Sequence, residues 1–204
     1  MSRTARHAAT SVGLVALTAL LLMGCDSDPT DPSSTSSPPA PTTSEPTPTE
    51  TPLTPEEEAT AAAEDAITAY FATSDKALQS PGTFNAADFE KVAITSALTD
   101  LQNLLVSVQM QDRHQIGETE IVSITSPTVD LTQDLDATPP VVPVVEADVC
   151  YDVSELNIVD AEGKSTTPAD RAPRGIAHVG VANYEYPEGP WLVAYVDYQE
   201  GETC

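Results

Sequence analysis

The spacing of apolar residues changes once along this sequence, and that change limits the folds available to the chain. Between residues 59 and 108, apolar residues recur every three or four positions, as in helices that bury one face. From Ile116 onward they alternate, as in strands with one buried face. Helices followed by strands predict an α+β domain. The strands are expected at residues 116–127 with an extension to 131, at 142–153, at 175–186 and at 191–199.

Helix-start signals locate the beginning of this domain. Thr54 can cap a helix that has Pro55 in its first turn, and Glu57 lies three residues after the cap, where it can close a capping box. Asn85 can cap a second helical region, in which a break would give a short and a long helix. We therefore expect two to three N-terminal helices packed on a curved antiparallel sheet of about four strands, in one domain over residues 55–204.

An export signal precedes the domain. A short basic region with two arginines is followed by about a dozen apolar residues, a run too short to span a bilayer. The run ends in Leu21-Leu22-Met23-Gly24-Cys25, which resembles the lipobox of bacterial lipoproteins. The resemblance implies that residues 1–24 are a lipoprotein signal peptide and that Cys25 is the site of lipid attachment. The alternatives are an uncleaved membrane helix and an ordinary signal peptide with an incidental cysteine.

Residues 25–54 are expected to form a disordered linker after the lipidated cysteine. Pro, Ser, Thr, Asp and Glu dominate it, and Leu53 is its only large apolar side chain. Such a segment buries too little apolar surface to offset the entropy lost on ordering. About thirty residues at roughly 3.1 Å each would span on the order of 90 Å if fully extended. A proline-rich ligand for a partner domain and a stretch carrying O-linked sugar are the alternatives.

The charge of the chain excludes one class of partner. Asp and Glu number 32 against 8 Lys and Arg, for a formal net charge of −24. Because this surface repels nucleic acid and anionic headgroups, we expect no nucleic-acid partner and assign membrane contact to the lipid on Cys25. The expected location is extracytoplasmic, on the outer face of the cell membrane.

The three cysteines divide into one for lipid and one pair. With Cys25 reserved for lipid, Cys150 and Cys204 make an even number in an oxidising compartment, and we predict a disulfide between them. A metal site is the rival interpretation, but the pair lacks further Cys or His ligands at usable spacing. The acidic stretch 130–140 lacks the glycine and the regular acid spacing of a calcium loop. We therefore expect no metal and no other cofactor.

Several short motifs follow one another in a recognisable order. They are the lipobox, the Ser/Thr/Pro-rich spacer, Ala69-Tyr70-Phe71, Ala97-Leu98-Thr99-Asp100-Leu101, Gly117, Ala147-Asp148-Val149-Cys150-Tyr151-Asp152-Val153-Ser154, Gly189-Pro190-Trp191-Leu192-Val193 and Gly201-Glu202-Thr203-Cys204. This order resembles small envelope lipoproteins of actinobacteria that have a nuclear transport factor two-like cone domain. The resemblance implies strands that curl around the first helix and leave a pocket at the open end. Related cones serve as isomerases, dehydratases or binding modules, so the fold does not decide the function.

Five residues are candidates for lining such a pocket: His178, Tyr184, Trp191, Tyr195 and Asp197. On alternating strands His178 shares a face with Tyr184, and Trp191 shares one with Tyr195 and Asp197. If both faces point into the cone, His178 and Asp197 converge, with a tyrosine as an orienting donor. The alternative is a partly exposed sheet face that displays its tyrosines, since one His and one Asp form no recognisable catalytic set.

The sequence favours binding over catalysis. It has no serine-hydrolase elbow, no phosphate-binding glycine loop and no zinc spacing, and we assign no catalytic residue. The expected function is a non-catalytic binding module for a small apolar ligand or an envelope protein. The alternatives are an isomerase- or dehydratase-like enzyme that uses the cone pocket, and a structural component of a surface complex.

A Cys25→Ser variant should leave the membrane fraction, because it lacks the thiol that would accept the lipid and its acidic surface has no attraction for anionic headgroups. Immunoblotting of separated membrane and soluble fractions, with the wild-type chain alongside, measures the shift. A variant that stays in the membrane fraction in acylated form would show that the lipid is attached elsewhere.

Overall fold

The structure is a computed structural model that describes residues 52–204. The predicted signal peptide, the lipid site Cys25 and all but the last residues of the linker lie outside this range. None of the helices within it combines the length and the apolar content that crossing a membrane requires. Helices and strands follow one another in the predicted α+β order. They are α1 (Pro55–Gln79), a 3₁₀ helix (Ala86–Lys91), α2 (Thr95–Met110), β1 (His114–Ile116), β2 (Glu120–Asp130), β3 (Val144–Asp152), β4 (Asn157–Val159), β5 (Arg174–Ala182) and β6 (Leu192–Gln199).

The first helix, α1, begins with the predicted capping box. The Glu57 backbone N–H donates to Thr54 Oγ1 at 3.2 Å, and the Thr54 backbone N–H donates to Glu57 Oε2 at 2.8 Å. Three glutamates in the first turn lie near the positive end of the helix dipole. The apolar face of α1 is buried, and its small alanines let the helix backbone approach the sheet closely. Its buried apolar residues are Ala59, Ala63, Ile67, Tyr70, Phe71, Ala77 and Leu78.

The helices pack on an antiparallel sheet with the strand order β2-β3-β5-β6. This is the predicted meander, and the α+β fold class is confirmed. Alternate side chains of β3 and β5 are buried against the helices, while the others lie on the opposite, outer face. Register shifts within β2 and between β5 and β6 mark bulges, which bend the strands. The buried residues of the two central strands include Val145, Ala147, Val149, Ala177, Val179 and Val181.

The predicted first strand is divided in two around Gly117. This residue has a φ of 77°, which favours glycine, and a Cβ there would collide with the Glu155 backbone carbonyl. The chain turns at this point, so β1 leaves the main sheet and pairs with β4. The alternation of apolar residues did not predict β4, because a strand of three residues is too short to show a period.

The segment that leads into α2 covers the edge strand β6. The Ile94 backbone N–H donates to the Val193 carbonyl at 2.9 Å, and the Val193 N–H donates to the Val92 carbonyl at 3.0 Å. The Thr95 hydroxyl donates to the Ala194 carbonyl at 2.5 Å. These bonds pair backbone groups that an exposed edge would leave open, and they fix the start of α2 against the sheet.

The predicted disulfide between Cys150 and Cys204 is present, with the two Cα atoms 5.9 Å apart. Cys150 lies on the outer face of β3 and is 8% exposed. The bond joins β3 to the segment that follows β6, across a sequence separation of 54 residues. A covalent link over a separation of this length restricts the unfolded chain strongly.

Replacing both cysteines by serine should lower the free energy of unfolding by about 4 kcal/mol in the chain-entropy account of a loop of this length. Urea denaturation followed by circular dichroism measures the change. The wild-type chain under reducing conditions is the matched control, and its midpoint should fall to that of the double variant. Equal midpoints for the oxidised wild type and the double variant would contradict the prediction.

Candidate functional site

Three of the five predicted pocket residues lie together on the outer face of the sheet. His178 of β5 is paired with Asp148 of β3 on one side and with Asp197 of β6 on the other. His178 Nδ1 lies 3.0 Å from Asp148 Oδ1, and the two side chains are 39% and 47% exposed. The Tyr195 ring lies 6.1 Å from the His178 ring, centroid to centroid. We call His178, Asp148, Asp197 and Tyr195 the outer-face row. The row is open to solvent and faces away from the helices.

Tyr195 extends the outer-face row across β5 to β3. Its hydroxyl donates to Glu146 Oε1 at 2.5 Å, and the ring passes over Gly180, where a Cβ would collide with it. Partial burial, followed by the hydrogen bond to Glu146, raises the pKa of Tyr195 well above its ordinary value. The phenol therefore remains a protonated hydrogen-bond donor at neutral pH.

The other two predicted pocket residues lie elsewhere. Trp191 packs against the core beside Val92, on the helix side of the sheet. Tyr184 is half exposed next to a small, mostly apolar cavity that Pro190 and Leu192 also line. The structure therefore does not bring Trp191 or Tyr184 into the outer-face row.

A bulge explains why Trp191 does not share a face with Tyr195, as the alternation predicted. Gly180 is paired with Tyr195, but the next residue of β5, Val181, is paired with Val193. Ala194 is therefore an extra residue on β6, and the alternation of side chains slips by one position there. Trp191 and Tyr195 consequently lie on opposite faces of the sheet.

Asp75 of α1 is the centre of a buried polar cluster and is 6% exposed. Gln115 Nε2 donates to its Oδ1 at 2.7 Å, the Thr119 backbone N–H donates to its Oδ2 at 2.7 Å, and the Thr119 hydroxyl donates to Oδ1 at 3.0 Å. These neutral donors replace water around the carboxylate and tie α1 to β1 and to the start of β2. Within residues 52–204, no three His, Cys, Asp or Glu side chains are grouped closely enough to hold a metal ion.

A cavity of about 390 Å³ opens where the end of β3, the start of β5 and the end of β6 meet. We call it the rim cavity. Its volume falls in the range of about 300–1,000 Å³ that small-molecule sites occupy. The residues that define its walls are Tyr151, Arg171, Arg174, Gly175, Tyr198 and the segment 199–203.

Aromatic rings make one wall of the rim cavity. The Tyr198 ring meets the Tyr151 ring edge-on, with centroids 5.7 Å apart, and Phe71 of α1 stacks against Tyr151 at 6.3 Å. Gly175 leaves room for Tyr151, because a Cβ there would collide with the phenol. Desolvation of the phenol hydroxyl raises the pKa of Tyr198 to about 12, although the residue as a whole is half exposed, and burial raises the pKa of Tyr151. Both phenols are therefore neutral at physiological pH.

Two arginines make a second wall. Arg174 Nε donates to Asp152 Oδ2 at 2.8 Å, and Arg171 Nη2 donates to the Leu156 carbonyl at 2.6 Å and to the Val153 carbonyl. The hydrogen bond from Arg174 is the largest of the causes that lower the pKa of Asp152 to about 2. The whole chain has 8 Lys and Arg residues, and two of them lie at this one cavity, together with Glu200 and Glu202.

The segment 199–203 forms a third wall, and the disulfide holds its far end. The Glu202 backbone N–H donates to the Gln199 carbonyl at 3.3 Å, which turns the chain after β6. Cys204 is bonded to Cys150, and its Sγ lies 3.4 Å from the Gly175 carbonyl oxygen. The segment is therefore fixed across the end of the sheet.

The sequence pattern did not predict the rim cavity, because its walls come from separate parts of the chain. Tyr151 occupies an apolar position of its strand, which by itself indicates core packing. Charge was the available signal: Arg171 and Arg174 are the most closely spaced basic pair after residue 54. Their position immediately before a strand could have marked the end of the sheet as a candidate site.

No family model and no curated protein matches the sequence. The fold is similar to the crystal structure of the intermembrane space region of the chloroplast protein ARC6, with 10% identity over 72% of this chain and 98% of that chain and a TM-score of 0.46. It is also similar to a structure from Catenulispora acidiphila, with 13% identity over 69% of this chain and 94% of that chain and a TM-score of 0.33. Likenesses this distant carry no functional argument.

Replacing Arg174 by Gln should raise the pKa of Asp152 from about 2 towards the ordinary value of about 4. Since the folded pKa lies below the unfolded one, the pair stabilises the fold above about pH 4, and this stabilisation is lost as the pH falls towards 2. NMR titration of the Asp152 carboxyl carbon measures the pKa directly. Lys164→Gln removes a positive charge elsewhere and should leave the titration unchanged; an Asp152 midpoint near 4 in the wild type would contradict the prediction.

Proposed function

We propose that this chain is a lipid-anchored extracytoplasmic lipoprotein of the cell envelope, and that its α+β domain is a non-catalytic binding module with a nuclear transport factor two-like cone. The observation that carries the binding role is the rim cavity. The sequence before the domain supports the lipid anchor independently of the rim cavity.

Cys25 and the disulfide support the location. The export signal and the lipobox-like residues end at Cys25, which would accept the lipid. The Cys150–Cys204 bond fits an exported protein, because disulfides persist in oxidising compartments and are rare in the cytosol. A lipid anchor would also bring an acidic domain close to a membrane that its charge alone would not approach.

The rim cavity supports binding because its walls are held in place before any ligand arrives. Tyr151 is wedged between Phe71 and Tyr198, and Arg171 is fixed by two backbone carbonyls. The segment 199–203 is held by the disulfide. A preformed cavity of this kind loses little conformational freedom when a ligand enters, which favours affinity.

Two features argue against an enzyme. The His178–Asp148 pair, which offers a candidate base, lies on the outer face of the sheet, and neither of its side chains lines the rim cavity. A general base must lie within hydrogen-bond reach of its substrate, so the pair cannot serve a molecule held in the rim cavity. The raised pKa values of the cavity tyrosines also make them poor bases near neutral pH.

Native mass spectrometry of the full chain, released from its own envelope in detergent, tests the binding role. We expect a small molecule to be retained by the wild type and by His178→Ala, and to be reduced in Tyr198→Ala, which removes a wall of the rim cavity. The His178→Ala chain is the control, because it removes a side chain of the outer-face row and leaves the rim cavity intact.

The other outcomes would each correct the proposal. A molecule lost from His178→Ala but not from Tyr198→Ala would place the site on the outer face. A co-purifying protein in place of a small molecule would indicate a scaffold. Chains that carry no non-covalent mass beyond the lipid on Cys25 in any preparation would show that the domain does not bind a small ligand.

A further inference from the structure

The two walls of the rim cavity differ in chemistry, and the difference specifies a ligand. We propose that the rim cavity binds a small molecule that has a flat aromatic or similarly apolar body and one anionic group, such as a carboxylate or sulfonate. The apolar body would lie against Tyr151 and Tyr198, and the anionic group would lie at Arg171 and Arg174. This inference rests on the proposed binding function and names the class of ligand.

The aromatic wall presents a rigid surface. Tyr198 is 51% exposed although it sits at the end of a packed strand, and its ring is held edge-on by Tyr151. Phe71 of α1 stacks on Tyr151 from the core side, so Tyr151 and Tyr198 cannot turn into the core. Aromatic groups prefer offset or edge-to-face neighbours, and a flat ligand would supply one to the exposed Tyr198 ring.

The arginine wall retains hydrogen-bond donors for an anion. Within the described part of the chain, the bond from Arg174 to Asp152 uses Nε, which leaves its two terminal nitrogens for a ligand. Arg171 is half buried and is anchored through Nη2 alone. Arg174 keeps the fork of its two terminal nitrogens, which suits the paired oxygens of a carboxylate or sulfonate. Arg171, whose Nη2 donates to two carbonyls, offers Nε and Nη1 as separate single donors.

Glu200 and Glu202 also line the rim cavity, and their carboxylates would repel an anion there. Both are exposed, so solvent and salt screen their repulsion of an anion. Arg171 is less exposed, and its attraction at short range is screened less. Replacing both glutamates by glutamine should therefore tighten anion binding by a few-fold, whereas a cationic ligand would be weakened by the same change.

A matched pair of fluorescent dyes tests the inference. The probes are 8-anilinonaphthalene-1-sulfonate and N-phenyl-1-naphthylamine, which share one aromatic skeleton and differ by the sulfonate. Titrations use the full chain carrying Cys25→Ser, so that no detergent micelles compete for the dyes, with the disulfide verified by thiol counting. We expect one sulfonated dye per chain, bound at least as tightly as the neutral dye.

The variants separate the two walls. Arg174→Gln should weaken the sulfonated dye about tenfold or more and leave the neutral dye unchanged, since a hydrogen bond to a charged group is lost. Tyr198→Ala should weaken both dyes. Lys164→Gln removes a positive charge at an exposed position away from the cavity and should affect neither. Circular dichroism and the thermal midpoint show that each variant is folded.

Three results would overturn the inference. If Arg174→Gln lowers the affinity for both dyes equally, the arginines do not recognise the charged group. If Arg174→Gln and Lys164→Gln lower the affinity for the sulfonated dye equally, the effect comes from the net charge of the protein. Failure of both dyes to bind the wild type would remove the rim cavity as a site for this class. If native chains still retained a small molecule, that failure would reject this ligand class and leave the proposed binding function standing.

Discussion

The domain depends on the contact between α1 and the inner face of the four-stranded sheet. One face of the helix supplies apolar side chains from Ala59 to Leu78, and the central strands supply Val149 and Val179. Burial of each large apolar side chain contributes about 1.5–3 kcal/mol, and α1 buries several of them. It also places Phe71 behind Tyr151, and the aromatic wall of the rim cavity therefore depends on the same helix that organises the core.

Local chemistry made most of the fold predictable from the sequence, and long-range geometry limited what could be said of the site. Neighbouring residues determine the Thr54 cap and the alternation along β3, so both are visible in the sequence. The Cys150–Cys204 pair follows from the number of cysteines. The bulge at Ala194 could not be predicted in this way, because a bulge is defined by how a strand pairs with its partner. β5 has small or apolar residues on both faces, so its pattern could not show that His178 points outward.

The two sheet faces have separate chemical roles. The inner face is dry and apolar until its end, where Tyr151 and Tyr198 border the rim cavity. The outer face is wet and acidic, and Asp148 and Glu146 are each paired with a neutral or weakly basic partner there. The disulfide connects the outer face of β3 to the segment 199–203, so a bond on the outer face holds one wall of a cavity that the inner-face tyrosines also border.

Two tyrosines cross β5 on opposite faces, and each does so over a glycine. Tyr151 lies against Gly175 on the inner face and Tyr195 lies against Gly180 on the outer face, with no space for a Cβ at either glycine. Substitutions at these positions are therefore not independent: a side chain at 175 or 180 requires a smaller partner at 151 or 195. Among diverged descendants of this chain the two couples should change together, and such paired replacements would mark relatedness where overall identity no longer does.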